Sequence, residues 1–270
     1  MLGSRAAAED AVQEAFARWY AAPRDSVRSE GALLTTMVTR ICIDQLKSAQ
    51  AKREVYVGEW LPEPLETQAG AATMPIDLES ISYAFLTLLQ TLTPLERAVY
   101  LLREVFGYSH GEVARMTGRE EAAVRQLHHR AREAILARRP RFAANRSEHE
   151  RLVAGFVAAC RSGDFDGLHA LLADEAVLRS DGGGKAPAIS RPLRGAVPIA
   201  KAYTGFARMA PEGTKLEVRE VNGWPAVAVW VESDLRSVIS FETDGARILA
   251  IYAMVNPEKL ARLASAWTGS

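Results

Sequence analysis

Thr93-Pro94-Leu95-Glu96 opens, and Val124-Arg125-Gln126-Leu127-His128-His129-Arg130 carries, the stretch that decides how this chain is read. Threonine followed by proline and then glutamate supplies an N-cap, a first-turn proline and a capping-box acid, so a helix is predicted from here to Gly107. Ser109 can cap a short second helix over His110–Met116, and Thr117-Gly118 makes a tight turn ahead of a third helix, Glu120–Arg138. In that third helix Val124, Leu127, Ala131 and Ile135 recur at helical spacing and are predicted to face a core. Ala122, Arg125, Gln126 and His129 are left pointing outward, as in the recognition helix of a helix-turn-helix.

The charge follows the same geometry. Arg119 to Arg141 holds seven arginines against three glutamates, whereas Glu54 to Thr93 holds six acids and no lysine or arginine, in a chain that is neutral overall. Arginines on phosphates give sequence-independent affinity, and an Arg or Gln at a base edge adds about 1–3 kcal/mol of discrimination. An arginine-rich helix merely facing solvent is the competing reading, and the capped short helix and glycine turn before it weigh against that.

Composition sets the outer bounds. At 270 residues and 48% apolar content the chain is long enough for more than one packed domain. No apolar run approaches the roughly 20 residues needed to span a bilayer, so a soluble, cytoplasmic protein is expected. Cys42 and Cys160 lie far apart in apolar helical patterns and are expected to be buried, reduced thiols. The five histidines offer no metal-ligand spacing, and neither a metal nor a cofactor is expected.

Three parts can be distinguished. Residues 1–53 are predicted helical, with Val12, Phe16 and Trp19 on one face of a first helix and Leu34, Met37, Val38, Ile41 and Cys42 on one face of a second. The opposite face of the second helix carries Thr36, Thr39, Arg40 and Lys47, followed by Lys52 and Arg53, a second basic surface. Residues 54–75, with Trp60-Leu61-Pro62-Glu63-Pro64, are predicted to be a linker, because two prolines disfavour helix. Helical periodicity resumes at Ile76–Gln90, so that 76–141 forms the helix-turn-helix module. Residues 145–270 change texture. Helices near 147–161, 164–172 and 196–208 are interleaved with strand-like runs at 175–180, 215–221, 225–232, 236–242 and 247–255, separated by Asn222-Gly223, Ser233-Asp234 and Asp244-Gly245. Helices ahead of an antiparallel sheet suggest an α+β cone.

With these residues in place, the chain resembles an extracytoplasmic-function (ECF) sigma factor of the sigma-70 family, of the SigJ type that carries a C-terminal SnoaL-like, NTF2-like domain. Ala8 to Phe16 resembles the region 2 helix that docks on the polymerase clamp, Leu34 to Asp44 the promoter-melting segment, and Leu92 to Arg132 the region 4 module that reads the minus-35 element. Trp60-Leu61-Pro62-Glu63-Pro64, Asp181-Gly182-Gly183-Gly184-Lys185 and Asn256-Pro257-Glu258-Lys259-Leu260 match three signatures of this subgroup. The resemblance implies a multi-domain fold, all-α sigma regions 2 and 4 plus an α+β cone, and a non-enzymatic factor whose partners are core RNA polymerase and promoter DNA. It implies DNA contacts from Arg119, Arg125, Gln126, His129, Arg130, Thr36, Arg40 and Lys47. Polymerase contacts would come from Glu9, Asp10, Gln13 and Glu14. Regulatory contacts between the linker and the C-terminal domain would involve Trp60, Pro62, Asp181, Gly183, Lys185, Asn256 and Lys259. The family also carries a further helix ahead of the position of Met1, so Phe16 and Trp19 are expected to lack part of their packing surface.

For the cone itself, strand alternation puts Ala228, Trp230 and Glu232 on one side, with Tyr252 and Met254 beside them, leaving room for a pocket that could take a small-molecule ligand. Asp181 and Glu232 have no evident partner in the sequence, so no acid–base pair can be placed. The Asp181–Lys185 stretch lacks phosphate-loop spacing and is read as a flexible contact loop. Two alternatives stay open at this stage, an enzyme of the cone class and a helix-turn-helix repressor with a ligand-sensing domain.

Overall fold

The computed structural model describes residues 1–21, 29–53, 56–67, 82–137 and 145–268. The 68–81 stretch and Arg138 to Arg141 lie outside these, as do the side chains of Lys52 and Arg53. The chain divides into two compact units, Met1–Val55 with Leu86–Arg139, and Tyr56–Phe85 with Pro140–Ser270. The described part of the linker predicted over 54–75, Tyr56 to Thr67, therefore belongs to the C-terminal unit and does not stand apart.

The first unit is helical. Helices α1 (Arg5–Ala21) and α2 (Glu30–Arg53) pair through small residues, with Ala11 and Ala15 buried against Ile41, Cys42 and Leu46. Two alanines let the backbones approach, and this places the larger residues of α1 outside: Val12 is 43% exposed, Phe16 46% and Tyr20 69%. Of the predicted apolar face of α1, Val12 and Phe16 face solvent while Trp19 is half-buried.

After α3 (Tyr83–Leu89), Thr93 caps α4 (Pro94–Tyr100) through the capping box with Glu96. The helix predicted to run to Gly107 is α-helical only to Tyr100 and continues as a π-helical turn, Leu101–Val105. Ser109 caps α5 (His110–Thr117), with Glu112 completing a second capping box, and Gly118 ends it at φ +67°. That left-handed backbone suits glycine and redirects the chain into α6 (Glu121–Leu136); the predicted end at Arg138 lies outside the described residues. Val124, Ala131 and Ile135 are buried and Leu127 packs beside Val99, Leu102 and Val113, as the periodicity requires.

The C-terminal unit is α+β. Helices α7 (Arg146–Ser162) and α8 (Phe165–Leu171) precede β1 (Leu172–Asp181) and the short β2 (Leu193–Arg194). Next comes α9 (Ala196–Arg208), then the strands β3 (Thr214–Val221), β4 (Trp224–Val231), β5 (Asp234–Thr243) and β6 (Ile248–Met254). Finally α10 (Pro257–Thr268), which the sequence reading had not distinguished, closes the unit. Six strands run in the order β2-β1-β6-β5-β4-β3, antiparallel except where β1 pairs with β6. One face packs on α7–α9 through Phe156, Ile199, Tyr203, Val227, Ile239 and Phe241. The other carries Ala228, Trp230, Val238, Tyr252 and Met254, and is covered by Leu61, Tyr83 and the Leu260, Leu263 and Trp267 face of α10.

This inverts one expectation. Ala228, Trp230, Tyr252 and Met254 share a face as predicted, but that face is covered by the linker and α10. Glu232 is not a strand residue on that face. It is an exposed turn residue at φ +55°.

Candidate nucleic-acid interface and linker clasp

In the first unit the outward residues of α6 lie where the helical period puts them. Arg125, Gln126, His129 and Arg130 are exposed on one surface, and Arg119 is exposed in the turn before it. Arg125 pairs with Glu121 at 2.5 Å and Arg130 lies 3.5 Å from Glu96. Both arginines are open to solvent, although Glu96 is largely covered, and an exposed ion pair is worth at most about 1 kcal/mol and yields readily to a phosphate.

The second basic surface is different. Lys47 is exposed, 3.5 Å from Asp44. Thr36 returns its hydroxyl to the Ala32 carbonyl at 2.8 Å. Arg40, however, donates from Nε to the Met116 carbonyl at 2.9 Å and from Nη2 to the Arg115 carbonyl at 3.2 Å. A guanidinium on the last carbonyls of α5 satisfies orphan acceptors and complements the helix dipole. Arg40 thus ties α2 to the helix-turn-helix in this state and does not stand ready as a separate DNA contact. On α1, Glu9, Asp10, Gln13 and Glu14 are all exposed, with Glu9 paired to Arg5 at 2.9 Å and Glu14 to Arg18 at 2.5 Å.

In the C-terminal unit the three sequence signatures meet at one carboxylate. Asp181, fully buried at the end of β1, accepts hydrogen bonds from the Tyr56 hydroxyl at 2.7 Å, the Leu61 amide at 2.8 Å and the Lys259 ammonium at 2.7 Å. Lys259 also donates to the Leu61 carbonyl at 2.6 Å and lies 4.1 Å from the centre of the Trp60 ring, a cation–π contact. Asn256 donates to the Tyr56 oxygen at 3.0 Å and accepts from the Glu258 amide at the start of α10, also at 3.0 Å. Burial, with the Asp181 carboxylate beside it, holds the Tyr56 phenol well above its usual range, so it keeps the proton it donates. Pro62 contributes its carbonyl to the Tyr83 hydroxyl at 2.6 Å. Lys185 pairs with Glu258 at the surface.

The Asp181–Lys185 stretch is therefore an anchored turn and not a flexible loop, and Asp181 has partners that sequence separation had hidden. Gly183 shows why glycine is needed: at φ +60°, a Cβ there would lie 2.3 Å from Asn256 Nδ2 and 3.0 Å from the Tyr56 oxygen.

A second anchor escaped the sequence reading altogether. The Asn222-Gly223 turn joins β3 and β4 as predicted, with Val221 opposite Trp224. It also holds the linker: Leu65 donates to Asn222 Oδ1 at 3.0 Å, Asn222 donates to the Leu65 carbonyl at 2.8 Å, and Gly223 donates to the Thr67 hydroxyl at 2.7 Å. Glu66 bridges to Val221 and accepts from the Trp267 indole at 2.8 Å. Arg179 pairs with Glu59 at 2.5 Å. The alternating exposure of β1 alone could have suggested Arg179; nothing in the spacing points to Glu66.

Besides Asp181 with Tyr56, a second largely buried acid–hydroxyl pair is Tyr252 donating to Glu242 at 2.7 Å. Burial raises the Glu242 carboxyl above its ordinary value, against the Tyr252 hydrogen bond and nearby Arg179. The pair lies on the linker-covered face. Cys42 and Cys160 are free and buried, burial pushing the Cys160 thiol up to about 12. Among the described residues no group of three or more His, Cys, Asp or Glu could hold a metal ion, and no helix is long and apolar enough to cross a membrane.

Comparison with known proteins places this architecture. Residues 1–52 match the family Sigma-70 region 2 and residues 82–135 match Sigma-70, region 4. The chain is 35% identical over 212 residues to the ECF RNA polymerase sigma factor SigJ of Mycobacterium tuberculosis, covering 77% of this chain and 68% of that one. It is 30% identical over 263 residues to the probable ECF sigma factor SigI of the same species, covering 96% and 88%. The crystal structure of M. tuberculosis SigJ matches 96% of this chain and 91% of that one, at 30% identity and a TM-score of 0.75. The chain therefore belongs to the extracytoplasmic-function sigma factors, alternative sigma factors that direct transcription initiation by RNA polymerase at promoter DNA.

Proposed function

We propose that the C-terminal unit governs this sigma factor by controlling how much of the linker is free. The observation that carries this is the triple hydrogen bond to buried Asp181, which fixes Tyr56 and Leu61 in the C-terminal unit. Tyr56 to Thr67 is twelve residues, about 40 Å of chain at full extension. Withholding it limits how far region 2 and region 4 can part to span two promoter elements. Arg40 adds a second restraint, since its hydrogen bonds to α5 must break before α2 and the helix-turn-helix separate. The clasped form is the restrained state, and release of the linker yields the form that engages core polymerase and promoter.

Within that cycle Arg119, Arg125, Gln126, His129 and Arg130 read or neutralise the minus-35 DNA, and Thr36, Arg40 and Lys47 meet the opened strand once Arg40 is released. Glu9, Asp10, Gln13 and Glu14 present an acidic face to the polymerase. The C-terminal unit acts as a regulator and not as a catalyst, because, of its buried acid–hydroxyl pairs, Glu242–Tyr252 lies beneath the linker and Asp181–Tyr56 is itself a linker contact. Run-off transcription with core RNA polymerase, on a promoter selected from a genomic library by the holoenzyme, tests the reading. Variants that open the clasp are expected to change output from that promoter, and equal output from clasped and opened forms refutes the regulatory role.

A further inference from the structure

The sheet face opposite the linker is incompletely filled. Between it and the helices lies a cavity of about 1280 Å³, larger than the roughly 300–1,000 Å³ usual for small-ligand sites. Its inner wall is apolar, with Phe156, Leu178, Tyr203, Val229, Ile239 and Ala253. At the mouth stand two large apolar side chains in solvent, Phe206 at 47% and Met209 at 73% exposure. Exposed hydrophobes rimming an apolar cavity are costly in water unless something covers them.

The charged residues lining the cavity are unbalanced. Arg161, Lys185 and Arg236 line it and all three are exposed, whereas its one acid, Asp234, is paired with Arg236 at 3.0 Å. An apolar cavity with a cationic rim suits an apolar chain ending in an anion. The wall also adjoins the clasp: Ser180, Val255 and Pro257 line the cavity, and Asp181, Asn256 and Glu258 follow them directly in sequence. Lys185 belongs to both, lining the cavity while paired with Glu258, the neighbour of Lys259.

We infer that this cavity binds a long-chain carboxylate, and that the carboxylate takes Lys185 from Glu258 and so loosens the hold of α10 on the linker. The coupling rests on the linker-clasp reading; the binding does not. A ligand shifts the clasp only as far as it prefers the loosened state, and competition for Lys185 supplies that preference.

The test uses the full chain and a fluorescent conjugated fatty acid, cis-parinarate, competed by dodecanoate or by dodecan-1-ol below their micellar or solubility limits. One saturable site is expected, with dodecanoate displacing the probe at a concentration at least about tenfold lower than the alcohol. Lys185→Gln is expected to remove that preference. Phe206→Glu at the exposed rim weakens both competitors, and Ala253→Phe, which fills the cavity, abolishes binding in a chain whose circular dichroism matches the parent. Equal displacement by acid and alcohol overturns the anionic class. Absence of a saturable site overturns the proposal, as does light scattering that reveals a dimer which must dissociate before the probe binds, since a second copy then covers the mouth. For the coupling, dodecanoate is expected to speed hydrogen exchange at the Leu61 amide and raise run-off transcription in the parent but not in Ala253→Phe. If dodecanoate binds and Leu61 exchange is unchanged while Asp181→Ala still alters transcription, the coupling fails and the clasp stands. If Asp181→Ala leaves transcription unchanged, the clasp reading fails by itself.

Discussion

Replacing Asp181 with alanine removes the acceptor of three hydrogen bonds at once, and the size of the effect can be worked from the geometry. The Lys259 side chain is only 14% exposed, so its ammonium cannot recover full hydration when its carboxylate is lost. The Leu61 amide is buried with it. Hydrogen bonds to a charged group are worth about 1.5–3 kcal/mol each, and stripping one partner from a buried ion pair costs about 3–5 kcal/mol. These figures describe overlapping losses, so the expected cost to the clasp is about 3–5 kcal/mol and not their sum. At about 1.4 kcal/mol per tenfold, even 3 kcal/mol changes the ratio of clasped to released linker by about 150-fold. Native-state hydrogen exchange at the Leu61 amide reads that ratio directly. Exchange should accelerate by about two orders of magnitude in Asp181→Ala, with amides in the α7–α9 core unchanged, and run-off transcription should shift in the same variant. The Asp181→Ala/Lys259→Met double variant should lose less than the sum of the two single changes, since both remove the same interaction. Leu61 exchange within threefold of the parent would falsify the claim that Asp181 holds the linker. Additive losses in the double variant would separate Lys259 from it.

Gly183→Ala should open the same clasp by another route: the left-handed backbone and the 2.3 Å approach to Asn256 Nδ2 together cost about 1–3 kcal/mol, read as faster Leu61 exchange with the sheet intact. Arg125→Ala should cost about 1–3 kcal/mol in binding of the holoenzyme to its promoter and relax preference at one minus-35 position, whereas Arg119→Ala should weaken all sequences alike and lower the salt slope by about one. Competition binding against single-base promoter variants separates the two. Glu242→Gln carries a pH signature. Because burial raises the folded carboxyl above its ordinary value of 4.5, the protonated form stabilises the fold below that value, and this contribution is lost as pH rises through the folded pKa. The glutamine variant, lacking that loss, should gain on the parent in chemical denaturation from pH 4.5 to pH 8; a variant that falls further behind as pH rises would mean the ionised Glu242–Tyr252 pair is net stabilising.

What could be read from the sequence was what depends on near neighbours. The capping box at Thr93 and Glu96, the left-handed Gly118 and the Asn222-Gly223 turn are local chemistry, and each is where its residues require. The outward set on α6 followed from a 3.6-residue period once Val124, Ala131 and Ile135 were recognised as inward. Strand alternation likewise grouped Ala228 with Trp230 and Tyr252 with Met254, but alternation alone does not say what covers each face. Here α10 and Leu61 cover it: Leu260, Leu263 and Trp267 do recur at helical spacing, but only the fold says which sheet face they meet. The large residues of α1 misled for a related reason: Val12 and Phe16 share a face, yet Ala11 and Ala15 make the closer contact with α2. Asp181 and Asn256 were singled out by resemblance, not by spacing, and Tyr56 was not singled out at all, because the three are brought together only by the fold.

That long-range character bears on how the clasp can work as a switch. Asp181, Lys259 and Tyr56 come from a strand end, a helix start and a linker, so no single element carries the interaction. Asp181 itself pairs with Met254 at the end of the β1–β6 ladder, whereas the β5–β6 ladder includes none of the three. The second anchor, at Asn222, joins the linker backbone to a tight hairpin by neutral hydrogen bonds, each worth about 0.5–1.5 kcal/mol net. The two anchors are therefore unequal. Charge-dependent Asp181 is the one that a carboxylate at Lys185 can reach through Glu258, while the hairpin anchor keeps Leu65 to Thr67 in register for reclosure. Release in two stages follows, with Tyr56 to Leu61 leaving first, and amide exchange at Leu61 should then respond to ligand and to Asp181→Ala well before exchange at Leu65 does.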